Sequence, residues 1–186
     1  MWPVTACQNA KHLQVKWQTF FEQVISMKKI SVLFCCMGNI CRSPTAEAVF
    51  RAKVAEAGMD QHIMIDSVGT HDYHIGDPPD GRTQRAAAKR GYDMSMLRGR
   101  QVEVADFSRF DYVLAMDNAN MAILQRLCPS DRVDRLGMFL EYAHNHEERE
   151  VPDPYYGGAD GFERVLDMVE DGALGLLQHI RTTHLA

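Results

Sequence analysis

Nowhere in this chain does an apolar run approach the roughly 20 residues that a membrane-crossing helix needs, so no membrane span is expected. The Walker pattern Gly-x4-Gly-Lys-Ser/Thr is absent as well, which excludes that kind of nucleotide cradle. Positive charge is in deficit: the net charge of −5 argues against a general nucleic-acid binder. Cysteines number five, an odd count, with Cys35, Cys36 and Cys41 crowded together. That is no secreted disulfide framework, and it fits a reducing, cytoplasmic setting. Those three cysteines form no standard zinc set with the nearest histidines, His71 and His74, so neither a metal nor a cofactor is expected. Residues 1–26 lack the continuous apolar core of a secretory signal, and they contain no arginine, which argues against a mitochondrial presequence. The composition that remains, 46% apolar and 24% charged, is ordinary for a globular protein, and 186 residues suit one domain.

The most informative stretch is Cys36-Met37-Gly38-Asn39-Ile40-Cys41-Arg42-Ser43. An apolar run, Ile30 to Cys35, leads into it. A good helix start follows, with Ser43 as cap, Pro44 in the first position, and Thr45, Ala46, Glu47 and Ala48 behind. The pattern predicts strand, tight loop, helix. Gly38 and Asn39 are residues that take left-handed backbone. Main-chain N–H groups of such a loop point inward, and the helix N-terminus adds partial positive charge. Residues Met37, Gly38, Asn39, Ile40, Cys41, Arg42 and Ser43 therefore form a candidate phosphate cradle, in which Arg42 supplies a bidentate fork. The same field favours thiolate over thiol in general, which makes Cys36 the candidate nucleophile. Ser43 can donate its hydroxyl to the sulfur and later ease its departure.

The rest of the chain alternates strands and helices. Residues 1–26 precede the first strand. Leu13, Trp17, Phe20, Phe21 and Val24 recur there at helical spacing, compatible with an amphipathic helix. An extension without catalytic role is the favoured reading, and docking on the domain or a partner is the alternative. Residues 27–186 are expected to form a single domain. Ala46, Val49, Phe50, Val54 and Ala57 predict one apolar helix face, ended by Gly58. Strands are expected over 63–68, 112–116 and 133–136, and helices over 82–90, 104–110 and 118–127. The last helix shows Asp160 as cap with Glu163 three on, then Phe162, Val165, Leu166, Val169, Ala173, Leu176, Leu177 and Ile180. This alternation implies an α/β fold with a parallel sheet, helices on both faces, and ligand sites at the carboxyl ends of strands.

The loop, read from Val32 to Pro44, resembles the signature of the low-molecular-weight protein tyrosine phosphatases. A second motif of that family stands at Asp153-Pro154-Tyr155-Tyr156. The similarity covers roughly residues 28–183, and the order, loop near the front and acid near the end, is the family's. It implies a three-layer, flavodoxin-like phosphotyrosine phosphatase I fold with a four-stranded parallel sheet. It implies Cys36 as nucleophile, Arg42 as phosphate clamp and Asp153 as general acid and base. Pro152 and Pro154 restrict the backbone around Asp153. Protonating a phenol whose pKa is about 10 is the task that needs such an acid.

The resemblance also implies pocket walls. Tyr73 occupies a position where relatives carry Trp or Tyr, and Tyr155 and Tyr156 follow the acid. An aromatic slot selects flat aryl phosphates, although a partly exposed loop pair, which in members of this family can itself be phosphorylated, is the other reading for Tyr155 and Tyr156. Met37 and Ile40 flank the opening. Related arginine phosphatases carry Thr at the place of Ile40, so this chain is similar to the tyrosine-directed members. In the family, the loop asparagine, here Asn39, is held left-handed by hydrogen bonds, including one from a histidine in a later Leu-Ser-x-His-Arg motif. This chain reads Met94-Ser95-Met96-Leu97-Arg98 there and has no histidine, while Ser67 keeps its supporting position. Asp117 either positions the loop or caps a helix. By the resemblance Cys41 traps an oxidised nucleophile as a disulfide; otherwise it is a small buried residue. Cys35 and Cys128 read as core.

The expected activity is hydrolysis of phosphotyrosine in proteins, or of small aryl phosphates, by a monomer or weak dimer through a cysteinyl-phosphate. Arsenate reduction on the same fold needs a further cysteine pair, and none lies between Cys41 and Cys128. A non-catalytic phosphate-binding module would lack the acid or the nucleophile. Thiol exchange between Cys36 and Cys41 is the remaining alternative.

Overall fold

The computed structural model describes residues 29–155 and 158–184; the helical spacing noted in residues 1–26 lies outside them, as does Tyr156. Four strands, β1 (Ile30–Cys36), β2 (Ile63–Gly69), β3 (Tyr112–Ala115) and β4 (Leu136–Met138), make one parallel sheet in the order β2-β1-β3-β4. The helices are α1 (Arg42–Glu56), α2 (Gly81–Lys89), α3 (Asp106–Arg109), α4 (Asn118–Leu127) and α5 (Ala159–His184). Among the described residues no helix is long and apolar enough to cross a membrane.

The period-2 alternation of β1 builds the layers. Val32, Phe34 and Cys36 join one core with Val49 and Phe50 of α1 and Val169 and Leu176 of α5. Leu33 and Cys35 join the opposite core with Phe107, Val113 and Leu124. Phe34 meets Phe50 and Phe139 edge-on, with ring centroids 5.7 and 5.2 Å away. Each such fully buried side chain contributes about 1.5–3 kcal/mol. The chain leaves β1 for β2 on one side and later returns to β3 on the other. The carboxyl ends of β1 and β3 therefore face a crevice, the switch point where ligands bind in open α/β sheets.

Several boundaries differ from the sequence reading. The fourth strand lies at Leu136–Met138, and Ser130–Arg135 is a 3-10 turn that buries no side chain. Val133, the residue that suggested a strand, sits among charged neighbours and is half exposed. Ser43 is not the cap of α1: the helix starts at Arg42 with Cys41 at the cap position. The Ser43 hydroxyl is committed to Cys36 Sγ and the Val68 carbonyl, so it is not available to a main-chain N–H. Asp160 falls inside the first turn of α5 rather than at its cap. Ala57 is exposed and leaves the buried face of α1, while Gly58 ends the helix with φ of +67°, a conformation that suits glycine.

Candidate active site

Cys36 is the last residue of β1, and its loop wraps the sulfur before α1 begins. The Asn39 N–H donates to Cys36 Sγ at 3.3 Å and the Ser43 hydroxyl at 3.0 Å. Both bonds need the sulfur as acceptor, the role a thiolate fills. Asn39 has φ of 56°, the only positive value outside glycine among the described residues. That backbone costs roughly 1–2 kcal/mol for an L-residue. Three side-chain bonds offset it, each worth about 0.5–1.5 kcal/mol. Asn39 Nδ2 donates to Ser43 Oγ at 2.9 Å and to Ser67 Oγ at 2.8 Å, and its Oδ1 accepts the Arg100 N–H at 2.9 Å.

Arg42 is buried at the start of α1. Its Nη1 donates to Asp117 Oδ2 at 2.5 Å and to the Val151 carbonyl at 3.2 Å, and its Nη2 reaches Asp153 Oδ2 at 2.9 Å. Burial works against the Arg42 charge, but Cys36, Asp117 and Asp153 outweigh it and hold the guanidinium above its ordinary value. Asp117 fills both roles considered for it, since its Oδ1 also caps α4 by accepting the Asn120 N–H at 2.7 Å. Asp153 stands on the loop before α5, about one-third exposed, and its Oδ1 accepts the Tyr155 N–H at 3.0 Å.

These groups line one cleft of about 260 Å³. Cys36, Arg42 and Asp153 share it with Met37, Gly38, Ile40 and Cys41 of the loop, and with Tyr73, His74 and Tyr155 at the walls. Burial raises the thiols of two other cysteines, Cys41 to about 12 and Cys35 well above its usual value. Cys35 points into the opposite core. Among the described residues no group of three or more His, Cys, Asp or Glu side chains could hold a metal ion.

The model of the low molecular weight phosphotyrosine protein phosphatase family matches residues 31–185. The chain belongs to that family. It is 44% identical over 153 residues to the low molecular weight protein-tyrosine-phosphatase of Streptomyces coelicolor, covering 81% of this chain and 93% of that one. It is 46% identical over 136 residues to the low molecular weight phosphotyrosine protein phosphatase of Schizosaccharomyces pombe, covering 73% and 86%. The crystal structure of a protein tyrosine phosphatase from Entamoeba histolytica with Hepes in the active site superposes with a TM-score of 0.81 at 38% identity, covering 83% of this chain and 98% of that one.

Within this phosphatase the structure brings the cradle, Arg42 and Asp153 together, with Ser67 behind Asn39 and Tyr73 and Tyr155 at the rim. Tyr73 is largely exposed and stacks on His71, with centroids 5.0 Å apart. The supporting roles of four residues were not found by sequence reasoning. Arg100 supplies through its main chain the bond to Asn39, and a main-chain donor leaves no mark in side-chain identity. Gly99 before it lets the segment pass close: a Cβ there would lie 2.3 Å from the His74 carbonyl oxygen. His74 covers the Gly38 backbone, and its Nδ1 is 3.0 Å from Asp77 Oδ2. Arg82 lies 5.0 Å from the centre of the Tyr155 ring and donates to the Tyr155 carbonyl at 3.1 Å, so it holds the wall beside the acid. Arg82 also donates to Asp80, the cap of α2, a local role that hides the distant one.

Proposed function

We propose that this phosphatase hydrolyses phosphotyrosine in proteins and small aryl phosphates through a cysteinyl-phosphate on Cys36. One observation carries the reading: Cys36 Sγ, with two donors on it, lies in the same cleft as Arg42 and Asp153, and Arg42 Nη2 already touches Asp153 at 2.9 Å. The substrate phosphoryl group sits on the loop N–H groups and on the Arg42 fork, which it takes over from Asp153. Cys36 sulfur attacks phosphorus and the P–O bond to the phenol breaks. Asp153 gives its proton to the departing oxygen, leaving a neutral phenol. A water then attacks the cysteinyl-phosphate, Asp153 takes back a proton, and the S–P bond breaks to release phosphate. The Ser43 hydrogen bond supports the sulfur when it leaves. Asp117 holds the other side of Arg42 throughout.

Tyr73 and Tyr155 bound the aryl group, and Ile40 and Met37 add apolar contact at the mouth, which supports a flat aromatic ester over a serine or guanidine phosphate. The lack of a further cysteine pair speaks against arsenate reduction. The four cysteines that are free among the described residues support a reducing, cytoplasmic location and a thiol held for catalysis rather than for crosslinking. The proposal includes work as a monomer or weak dimer.

The test compares initial rates on three peptides of one sequence carrying phosphotyrosine, phosphoserine or phosphoarginine. The phosphotyrosine peptide is expected to turn over at least about 100-fold faster, within the range that positioning and general acid catalysis supply. A preference for phosphoarginine, or equal slow rates on all three, would overturn the substrate assignment.

A further inference from the structure

The hydrogen bonds behind the cradle form a chain with one direction. Asn39 Nδ2 has two protons and uses both, on Ser43 Oγ and on Ser67 Oγ. Having accepted, Ser67 directs its single proton to Glu47 Oε2 at 2.7 Å. Having accepted, Ser43 directs its single proton to Cys36 Sγ at 3.0 Å, with the Val68 carbonyl as a competitor at 3.1 Å. Glu47 lies in the first turns of α1 with only 4% of its surface exposed. Its other oxygen, Oε1, accepts Arg51 Nε at 2.9 Å and Nη2 at 2.8 Å. Burial pushes the Glu47 carboxyl up from its ordinary value, and the bonds from Ser67 and Arg51 oppose that rise.

We propose that Glu47 is a positioning residue that sets the direction of this chain and so aims the Ser43 proton at the Cys36 sulfur. An ionised carboxylate only accepts, so Ser67 must donate outward to it. Ser67 is then free to accept from Asn39, and Asn39 must present its nitrogen to both serines. Were the group at the Glu47 position a donor, Ser67 would turn its proton toward Asn39. The carboxamide would then present Oδ1, and Ser43 would spend its proton there instead of on the sulfur. The Arg100 N–H opposes that flip from the other end of the carboxamide. Leu97, partly buried against the core, offers no side-chain donor to share the task. The inference rests on Cys36 being the nucleophile.

The test uses the full chain and the rate and pH profile of Cys36 alkylation by iodoacetamide, with the labelled residue identified by peptide mapping. In Glu47→Gln, the two Arg51 donors claim the amide oxygen and turn the NH2 toward Ser67, which reverses the chain. Alkylation at neutral pH is expected to fall about 10–100-fold, the worth of one hydrogen bond to a charged group, and the profile to move to higher pH. In the double variant Glu47→Gln with Arg51→Met, the amide is free to turn its oxygen to Ser67. Its reactivity is expected to recover toward wild type although one more interaction is gone, a pattern that general loosening of the fold does not give. A wild-type profile in Glu47→Gln, or a double variant at least as slow as the single, overturns the proposal. If Glu47→Gln does not fold, Ser67→Ala removes the link and leaves the Glu47–Arg51 pair; with no donor to reverse the chain, alkylation is expected to fall by about 2–10-fold, the worth of one neutral hydrogen bond, and unchanged alkylation overturns the proposal. Hydrolysis of an aryl phosphate by the wild-type protein, and its loss on labelling Cys36, checks the underlying reading separately.

Discussion

Arg100 donates its main-chain N–H to Asn39 Oδ1 at 2.9 Å, joining two residues 61 positions apart. The bond fixes which face of the carboxamide meets the serines. It supports the loop from the segment where the family resemblance suggests a histidine and this chain has Leu97. The Arg100 side chain anchors the same segment by pairing with Asp66 at 2.8 Å and with the fully buried Asp106 at 2.9 Å. A main-chain donor held by two ion pairs thus completes the three bonds on Asn39.

Replacing Asn39 separates the bonds from the backbone cost. Asn39→Gly loses the three side-chain bonds and keeps easy access to φ of 56°. Asn39→Ala loses the same bonds and also meets the left-handed penalty. We expect Asn39→Ala to be destabilised by about 2–4 kcal/mol and Asn39→Gly by roughly 1 kcal/mol less, read from urea unfolding. Equal losses would mean that the left-handed backbone carries no cost at this site.

The two adjacent cysteines are predicted to behave oppositely. Cys36→Ser should abolish turnover yet keep binding of a phosphate analogue, because an alkoxide does not form at neutral pH. Cys35→Ser should keep most of the activity, since Cys35 faces the core opposite the cleft. Mass spectrometry of the quenched phosphoenzyme decides: phosphate on Cys35 would refute the assignment.

Much of this was readable because it is local. The strand–loop–helix around Cys36, the apolar stripe of α5 and the alternation of β1 follow from neighbours a few residues apart. What stayed hidden depends on contacts that cross the chain. Ser43 reads as a helix cap until the sulfur and the Val68 carbonyl claim its hydroxyl. Val133 reads as a strand until its charged neighbours stay in water and the pairing with Val113 falls to Leu136. Arg82 reads as a helix-start cation until the Tyr155 carbonyl lies within its reach. Short segments with mixed pattern are decided by tertiary partners, and these have no local mark.

Acid stability should depend on Asp171. This buried carboxylate accepts the His144 N–H at 3.1 Å, the Asn145 N–H at 2.7 Å and Asn145 Nδ2 at 2.8 Å. Burial alone would raise its pKa, but these bonds outweigh burial and hold the carboxyl below its ordinary value of 3.8. A carboxyl with a depressed folded-state value stabilises the fold above its unfolded value, and that stability is lost as pH falls through the folded value. Asp171→Asn should therefore cost about 1–3 kcal/mol at pH 7, and progressively less as pH is lowered below 3.8. Urea unfolding over a descending pH series reads it. A cost that does not change with pH would assign the effect to the shape of the side chain rather than to its charge.

The role of Asp153 is tested by its dependence on the leaving group. Asp153→Asn keeps the shape and the bond from the Tyr155 N–H, and it removes the transferable proton. If Asp153 protonates the departing oxygen, the loss must grow as the leaving group becomes more basic. General acid catalysis supplies about 10²–10⁴-fold, roughly 3–5 kcal/mol, where the leaving group needs it. A phenol as basic as tyrosine should show most of that deficit, whereas an activated phenol that departs well as its anion should show little at phosphoenzyme formation. Asp153 also assists the water in the second step, so the burst phase has to be measured to isolate the first. The substitution also changes Arg42, which loses one of its two carboxylate partners and keeps Asp117. That change acts on phosphate binding whatever the phenol, so it shifts every substrate alike. A loss equal across phenols of very different acidity would leave only this Arg42 effect, and the acid would have to be another group of the cleft.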